Sequence, residues 1–482
     1  MKNPLSCSCT RTVMLVATFA LVTSGCSVNP ATGRRQLSLV GEASEIALGR
    51  DNDKSVRAQM GLYNDEELQV WIQQIGKSVA SRSERPDLPW TFRVVDDPAI
   101  NAFALPGGYI YVTRGILAHF GSEAELVSVL GHEIGHVTGR HAVARMSKAQ
   151  LTGVLMTAAM IASPELRGLG NAAQQGLGLM FLKFSRDDER EADDLGLRYM
   201  LRTGHRADEM PKVFDTLARA SAGSESQRLP DWLSTHPAPP ERATRMRDAI
   251  AALPENLRGG IIGRDSYLKR IDGLVYGSDP REGFFRENVF YQPQMRFTLT
   301  FPRDWRYANT KAAVMAQSPG GDAALQLKLA RGTSPSEAAR EFFRKNKLEQ
   351  DRSPKNGVYT FRAPASAKGG QPVIGMTRFV LHGDTMLQLI GFTPENRWSS
   401  YRNSISRTID SFARLKNKRL LGVKPARLDI VRIPRRTTLK AFHAANPSSI
   451  ELPELARING VSTDSTLERG AMIKRVVGGV MP

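Results

Sequence analysis

The segment Gly131-His132-Glu133-Ile134-Gly135-His136 constrains this chain more than any other feature. It follows Ser122-Glu123-Ala124-Glu125-Leu126-Val127-Ser128-Val129-Leu130, whose apolar residues repeat as an amphipathic helix. On such a helix the two histidines fall at i and i+4 on one face. Two imidazoles one turn apart can hold a single Zn²⁺, and Glu133, next to the first, reaches a water on that ion. The geometry suits peptide hydrolysis: zinc acidifies the water and polarises the scissile carbonyl, while the carboxylate takes the water proton and returns it to the leaving amine. Three of the 8 histidines fall between 132 and 141, which favours a built site over a chance match.

A catalytic zinc site takes three protein ligands and keeps one position open. The candidate source of the third is Ser185-Arg-Asp-Asp188-Glu189-Arg-Glu191-Ala192-Asp193-Asp194-Leu195-Gly196, which continues as a helix through Leu197, Tyr199 and Met200. The residues alone leave Asp188, Glu189 and Glu191 open as the ligand. Glu189 and Asp193 are again i and i+4, so one can bind metal while the other fixes a ligand imidazole. His141 faces elsewhere on an ideal helix continued from His136, and both it and His119 read as structural.

The pairing of His-Glu-x-x-His with a later Glu-x-x-x-Asp resembles metallopeptidase family forty-eight, which contains the CAAX-prenyl proteases and their soluble periplasmic relatives. Asn101-Ala-Phe-Ala-Leu-Pro-Gly-Gly-Tyr-Ile-Tyr-Val-Thr113 is similar to the strand segment before that family's metal helix, and Thr235-His236-Pro237 with Arg242 to a late motif. The resemblance covers about 43 to 253. It implies a mainly helical, zincin-type α+β domain with a small edge-stranded sheet, and one Zn²⁺ per chain on His132, His136 and Glu189. It further implies Glu133 as general base, Asp193 as support for a ligand, and His236 and Arg242 near the metal water or the oxyanion. In periplasmic relatives the histidine matching His236 can occupy the open zinc position as a self-inhibiting plug. A protease also needs an edge strand on which substrate lies extended, and Asn101 to Ala104 is the candidate. Leu151 to Phe184 reads as hydrophobic core of two helices, with Gly168, Gly170, Gly176 and Gly178 permitting a movable lid.

All three cysteines (Cys7, Cys9, Cys26) lie in the first 26 residues, so the folded body has no disulfide framework. Lys2 and Arg11 precede the apolar run Val13 to Val22, too short for a permanent membrane span, and Thr23-Ser24-Gly25-Cys26 follows. This start resembles a bacterial lipoprotein signal. It implies removal of residues 1 to 25, a lipid on Cys26, and, with Ser27 next, retention at the periplasmic face of the outer membrane of a Gram-negative bacterium. Residues 26 to 42 read as a tether. The formal charge of +18 favours an anionic partner, but a secreted, lipid-anchored product argues against nucleic acid.

Residues 254 to 284 read as a linker and 285 to 415 as a separate α+β domain, strand-like at Phe297 to Phe301, Ala324 to Leu329, Val358 to Phe361, Gly375 to Leu381 and Met386 to Phe392. Residues 416 to 482 hold 13 basic and 5 acidic residues. Their strand, helix, helix, strand order is similar to a LysM module, a peptidoglycan-binding fold, although Arg436-Thr437 replace the usual Gly-Asp. The expectation is therefore a lipid-anchored zinc endopeptidase acting on unfolded or misassembled envelope proteins. Its rival is a non-proteolytic envelope assembly factor whose basic tail holds peptidoglycan or lipopolysaccharide.

Overall fold

A computed structural model describes residues 26–162, 184–222, 236, 240–348, 354–364 and 371–479. Residues 1–25, expected as a signal segment, the glycines expected to permit a lid, Thr235 and Pro237 lie outside the described residues, as do the side chains of Cys26 and 152–162. Among the described residues no helix is long and apolar enough to cross a membrane. The chain divides into two compact units, the first from residues up to 57, 62–274 and 428–476, the second from 58–61, 275–427 and 477 onward.

The first unit opens with two short antiparallel strands, β1 (Cys26–Val28) and β2 (Arg35–Leu37). The tether expected at 26–42 is thus a hairpin. Gly33 supplies the positive φ of its turn, and Ser147 Oγ accepts from the backbone of Leu39, fixing the following residues to the domain. Helices α1 (Glu42–Met60) and α2 (Glu66–Ala80) follow, the latter capped by Asp65, whose carboxylate accepts from Leu68 N at 2.9 Å. Strands β3 (Thr91–Val95), β4 (Ala102–Leu105) and β5 (Tyr109–Thr113) form a sheet in the order β3-β5-β4. β3 runs parallel to β5 and β4 antiparallel to it, which leaves β4 at an edge.

Next come α3 (Arg114–His119), α4 (Glu123–Thr138), α5 (His141–Ala162), α6 (Arg186–Arg202), α7 (Glu209–Ala222) and α8 (Pro240–Ala251). The expected amphipathic helix is α4, capped by Ser122, but it is buried on every side: all residues from Ala124 to Thr138 are inaccessible. Its polar side chains therefore need partners within the protein. α4 meets α6 across glycines. A Cβ added at Gly131 would stand 3.2 Å from Gly196 Cα, one at Gly135 would stand 3.0 Å from the Ala192 carbonyl, and one at Gly196 would stand 3.0 Å from the His132 nitrogen. These three positions let two helical backbones touch, which draws the short carboxylate side chains of α6 toward the histidines of α4.

Beyond α8 the unit takes in 428–476, which the sequence reading assigns to a module of its own. The expected order is present, with a strand at Ala426–Arg432, helices at Leu439–Ala445 and Leu452–Asn459, and a strand at Met472–Gly478. Lys474, 1% exposed, explains the packing: its ammonium donates to the carbonyls of Ala118, His119 and Phe120 at the end of α3, at 2.8 to 3.2 Å. An ammonium has three donors, and this helix end offers three unpaired carbonyls.

The second unit is α+β as expected. Its six-stranded antiparallel sheet runs in the order Arg306–Asn309, Ala313–Gln317, Ala324–Leu329, Thr385–Pro394, Val373–His382, Val358–Ala363. Helices Pro335–Asn346 and Trp398–Asp410 accompany it, and Phe290, Leu299, Trp305, Leu325, Leu389 and Ile405 belong to its main core. The sequence reading omits Arg306–Asn309 because that edge strand half-buries Tyr307 alone, so no alternation marks it. His382 Nε2 lies 2.7 Å from the Met295 carbonyl, where it donates.

The α4/α6 contact is directly testable. Gly196→Val should lower stability by about 1–3 kcal/mol through overpacking against His132, and zinc affinity should fall with it. Thermal unfolding of the metal-free and zinc-loaded chain measures both.

Candidate metal centre

Side chains from α4, α6 and the segment before α8 meet at one point. One donor atom each from His132, His136, Glu189 and His236 lies within 4.8 Å of every other, and all four residues are buried. The Nε2 atoms of His132 and His136 are 3.0 Å apart, and each is 3.6 Å from a Glu189 oxygen. Of the three acids left open by the sequence, Asp188 is half-buried and closes a capping box with Ser185 at the start of α6. Glu191 turns toward His141. Glu189, 2% exposed, is the one that enters the cluster.

The orientation of His132 is set from behind. Its Nδ1 donates to Asp193 Oδ1 at 3.0 Å, and Arg242 clamps Asp193 through Nε to Oδ2 at 2.9 Å and a terminal nitrogen to Oδ1 at 2.7 Å. Arg242 also reaches Glu189 Oε2 at 2.7 Å and lies over the Phe214 ring. Burial alone would raise the Asp193 pKa, but the hydrogen bonds from His132 and Arg242 hold it down to about 2. Glu189 follows the same logic: burial opposes ionisation, and the attraction of His236, His132 and Arg242 lowers its pKa. Burial, then repulsion from the neighbouring imidazoles, pushes His136 well below its ordinary value and keeps it neutral. For His236 burial is outweighed by Glu189 and Glu133, which raise its pKa.

This donor set fits a cation. With Nδ1 of His132 committed as a donor, its Nε2 carries a lone pair, and it faces the Nε2 of a neutral His136 and a buried carboxylate. Lone pairs at such spacing repel unless a positive ion lies among them, and two imidazoles with one carboxylate suit Zn²⁺. Glu133, 1% exposed, has Oε1 3.6 Å from His236 Nε2, so it borders the same space.

His141 departs from the sequence reading. The helix does not continue past His136 as an ideal one: α4 ends at Gly139, and Arg140 has a φ of 55°. Arg140 is held there by Glu45 Oε2 at 3.0 Å and the Val40 carbonyl at 2.7 Å. The reversal brings His141 Nδ1 within 2.9 Å of His136 Nδ1. Phe184, which the sequence reading places at the end of a hydrophobic core segment, stacks on the His136 ring with centroids 4.0 Å apart. A small crevice is lined by Ala104 and Leu105 of β4 together with His136, Val137 and Phe184, and a cavity of about 450 Å³ by Glu189, Phe184 and the arginines 186, 190, 242 and 245.

Residues 66–250 match the sequence profile described as Peptidase family M48. This part of the chain is an M48 family domain. The match takes in every residue of the cluster together with Glu133, Asp193 and Arg242. Curated relatives include the beta-barrel assembly-enhancing protease of Yersinia pestis, 32% identical over 219 residues, 42% of this chain and 43% of that protein. The mitochondrial metalloendopeptidase OMA1 of Arabidopsis thaliana is 32% identical over 238 residues, 45% of this chain and 47% of its own. The beta-barrel assembly-enhancing protease of Escherichia coli (strain K12) is 28% identical over 231 residues, 45% and 46% of the two chains. The matched part of this chain thus spans less than half the length of these relatives.

Asp193→Ala should weaken zinc binding about 10- to 100-fold, because His132 loses the acceptor that orients it. Competition with a chromophoric chelator reads that change. Zinc at a hundred times its Kd should stabilise the wild-type chain by about 2.7 kcal/mol, read as a higher unfolding temperature.

Proposed function

We propose that this chain is a zinc-dependent endopeptidase that cleaves protein substrates in the bacterial periplasm as part of envelope quality control. The observation that carries the reading is the convergence of the buried His132, His136 and Glu189 with Glu133 at their side, beside an edge strand. His132, His136 and Glu189 would hold Zn²⁺, which would supply Lewis acidity toward a water and a scissile carbonyl. Glu133 would act as general base, taking a proton from the attacking water and returning it to the leaving amine. Arg242 keeps Glu189 and Asp193 ionised and in place. The free edge of β4 offers backbone groups to an extended substrate, and such pairing accepts many side-chain sequences.

The envelope setting draws support from the resemblance of the first 26 residues to a lipoprotein signal with Cys26 as its lipid-bearing residue. The names of two relatives, which refer to beta-barrel assembly, point to unfolded or misassembled outer-membrane proteins as substrates. The LysM-like order of the tail and its positive charge support a further contact with peptidoglycan or lipopolysaccharide.

His236 supports a resting state for the same site. Its Nδ1 lies 2.9 Å from Glu189 Oε1 and 3.4 Å from His132 Nε2, so it stands where a fourth donor would. Held there by Glu189 and Glu133, it would exclude substrate until it withdraws.

Glu133→Gln should reduce cleavage of an unfolded protein such as casein by about 10²- to 10⁴-fold while leaving zinc content near one per chain. Loss of zinc with the activity would assign Glu133 to folding or ligation. His236→Ala should speed cleavage if the imidazole blocks the site, and slower turnover with unchanged zinc content would assign it to transition-state support.

A further inference from the structure

The two imidazoles of the centre are held from behind in different ways. His132 rests on a carboxylate directly. His136 rests on another imidazole, and the contact behind it runs on to the first residues after the signal segment. His136 Nδ1 lies 2.9 Å from His141 Nδ1, His141 Nε2 lies 3.1 Å from Glu191 Oε1, and the same oxygen accepts from Asn29 Nδ2 at 2.6 Å.

The proton positions along this line follow from what each end must do. His136 turns Nε2 toward the cluster as a lone-pair donor, so its single proton sits on Nδ1. His141 Nδ1 must therefore accept, which places its own proton on Nε2, where Glu191 accepts it. One carboxylate oxygen then receives donors from both sides. Asn29 cannot be turned around, because its Oδ1 accepts from the backbone of Ala31 at 2.9 Å and Thr32 at 3.3 Å within the hairpin turn. Its amide NH₂ is left facing Glu191. Asn29 and His141 are each 4% exposed, so both donors are shielded from water, while the Glu191 side chain is 19% exposed.

A second feature shows that space is kept for the line. A Cβ built on Gly139 would fall 2.5 Å from His141 Nε2 and 2.9 Å from Glu191 Oε1. Gly139 has a φ of −72°, which any residue adopts, so clearance for the His141 to Glu191 hydrogen bond is what its missing side chain provides. Asn29 lies outside the segment that matches the M48 profile.

We propose that His141, Glu191 and Asn29 are positioning residues that lock His136 in its metal-binding tautomer, and that through Asn29 the hairpin after Cys26 sets how tightly the centre holds its ion. The proposal rests on the metal-centre reading above. An N-terminal segment that leaves its seat takes the Asn29 donor from Glu191, loosens His141 and lets the His136 ring rotate away from its ligand geometry. Metal retention is then linked to the seating of the stretch that lies next to the lipid-bearing position.

The test uses the purified full-length chain and zinc itself. Zn²⁺ affinity is measured by competition with a chromophoric chelator for wild type, His141→Ala, Glu191→Ala, Glu191→Gln, Asn29→Ala and Asn29→Asp. Visible absorption of the Co²⁺-substituted proteins and melting temperatures of the metal-free proteins accompany it. Loss of the groups that orient a ligand typically costs about 10- to 100-fold in metal affinity, and that loss is expected for His141→Ala and Glu191→Ala. Glu191→Gln keeps an acceptor oxygen and should retain most of the affinity. Asn29→Asp keeps the turn but removes the donor, so its affinity should fall at least as far as that of Asn29→Ala. The Co²⁺ bands should shift in each weakened variant, and kcat should fall while KM holds. Wild-type affinity in all variants, or a loss that only tracks a lower metal-free melting temperature, overturns the proposal. A wild-type chain that takes up no zinc overturns the metal-centre reading and this inference with it.

Discussion

Backbone contact between α4 and α6 is the constraint on which the rest depends. Glu189 and Asp193 have short side chains, and they reach His132 and His136 because glycines at 131, 135 and 196 remove every atom that would separate the two helices. With ordinary side chains there, helix axes stand 8–10 Å apart and more. The same approach commits α4 to full burial, so each polar group on it must be answered from inside the protein. Metal site and core are in this sense one solution: the cluster is how a buried helix with two imidazoles and a glutamate satisfies them.

Charge then arranges itself around that contact. Arg242 carries a full positive charge into a nearly inaccessible place and is matched by Asp193 and Glu189 together. Burying a charge is tolerated when it is paired and hydrogen-bonded, and here the pairing also dictates which nitrogen of His132 faces Glu189 and His136. Each of the two α4 imidazoles is fixed through its Nδ1, one by a carboxylate and one by a second imidazole. The scaffold supplies that support from α6 and α8 on one side and from the N-terminal hairpin on the other.

Much of the site was legible in the residues. His132, Glu133 and His136 announce themselves because their chemistry depends on i to i+4 spacing, a local property of one helix. The carboxylate that joins them was not legible in this way: Asp188, Glu189 and Glu191 lie within four residues, and which of them enters the cluster depends on the rotation of α6 against α4. His141 was misread for a related reason. Extrapolating a straight helix sends it elsewhere, whereas the reversal at Arg140 is held by Glu45 and Val40, far away in sequence. The hairpin at 26–37 and the edge strand Arg306–Asn309 escaped because short or half-exposed strands carry no hydrophobic period.

What the sequence determined by itself is what repeats along a single element: the helix of His132 and His136, four strands of the second unit's six-stranded sheet, and the order of elements in the tail. Tertiary structure alone decided which carboxylate joins the histidines, which side chains hold each ring, and that residues 428–476 pack with the first unit through Lys474. The division has one physical cause. Periodicity reports which face of an element is buried, but the partner of that face is set by close packing and by the pairing of buried polar groups, and both join residues distant in the chain.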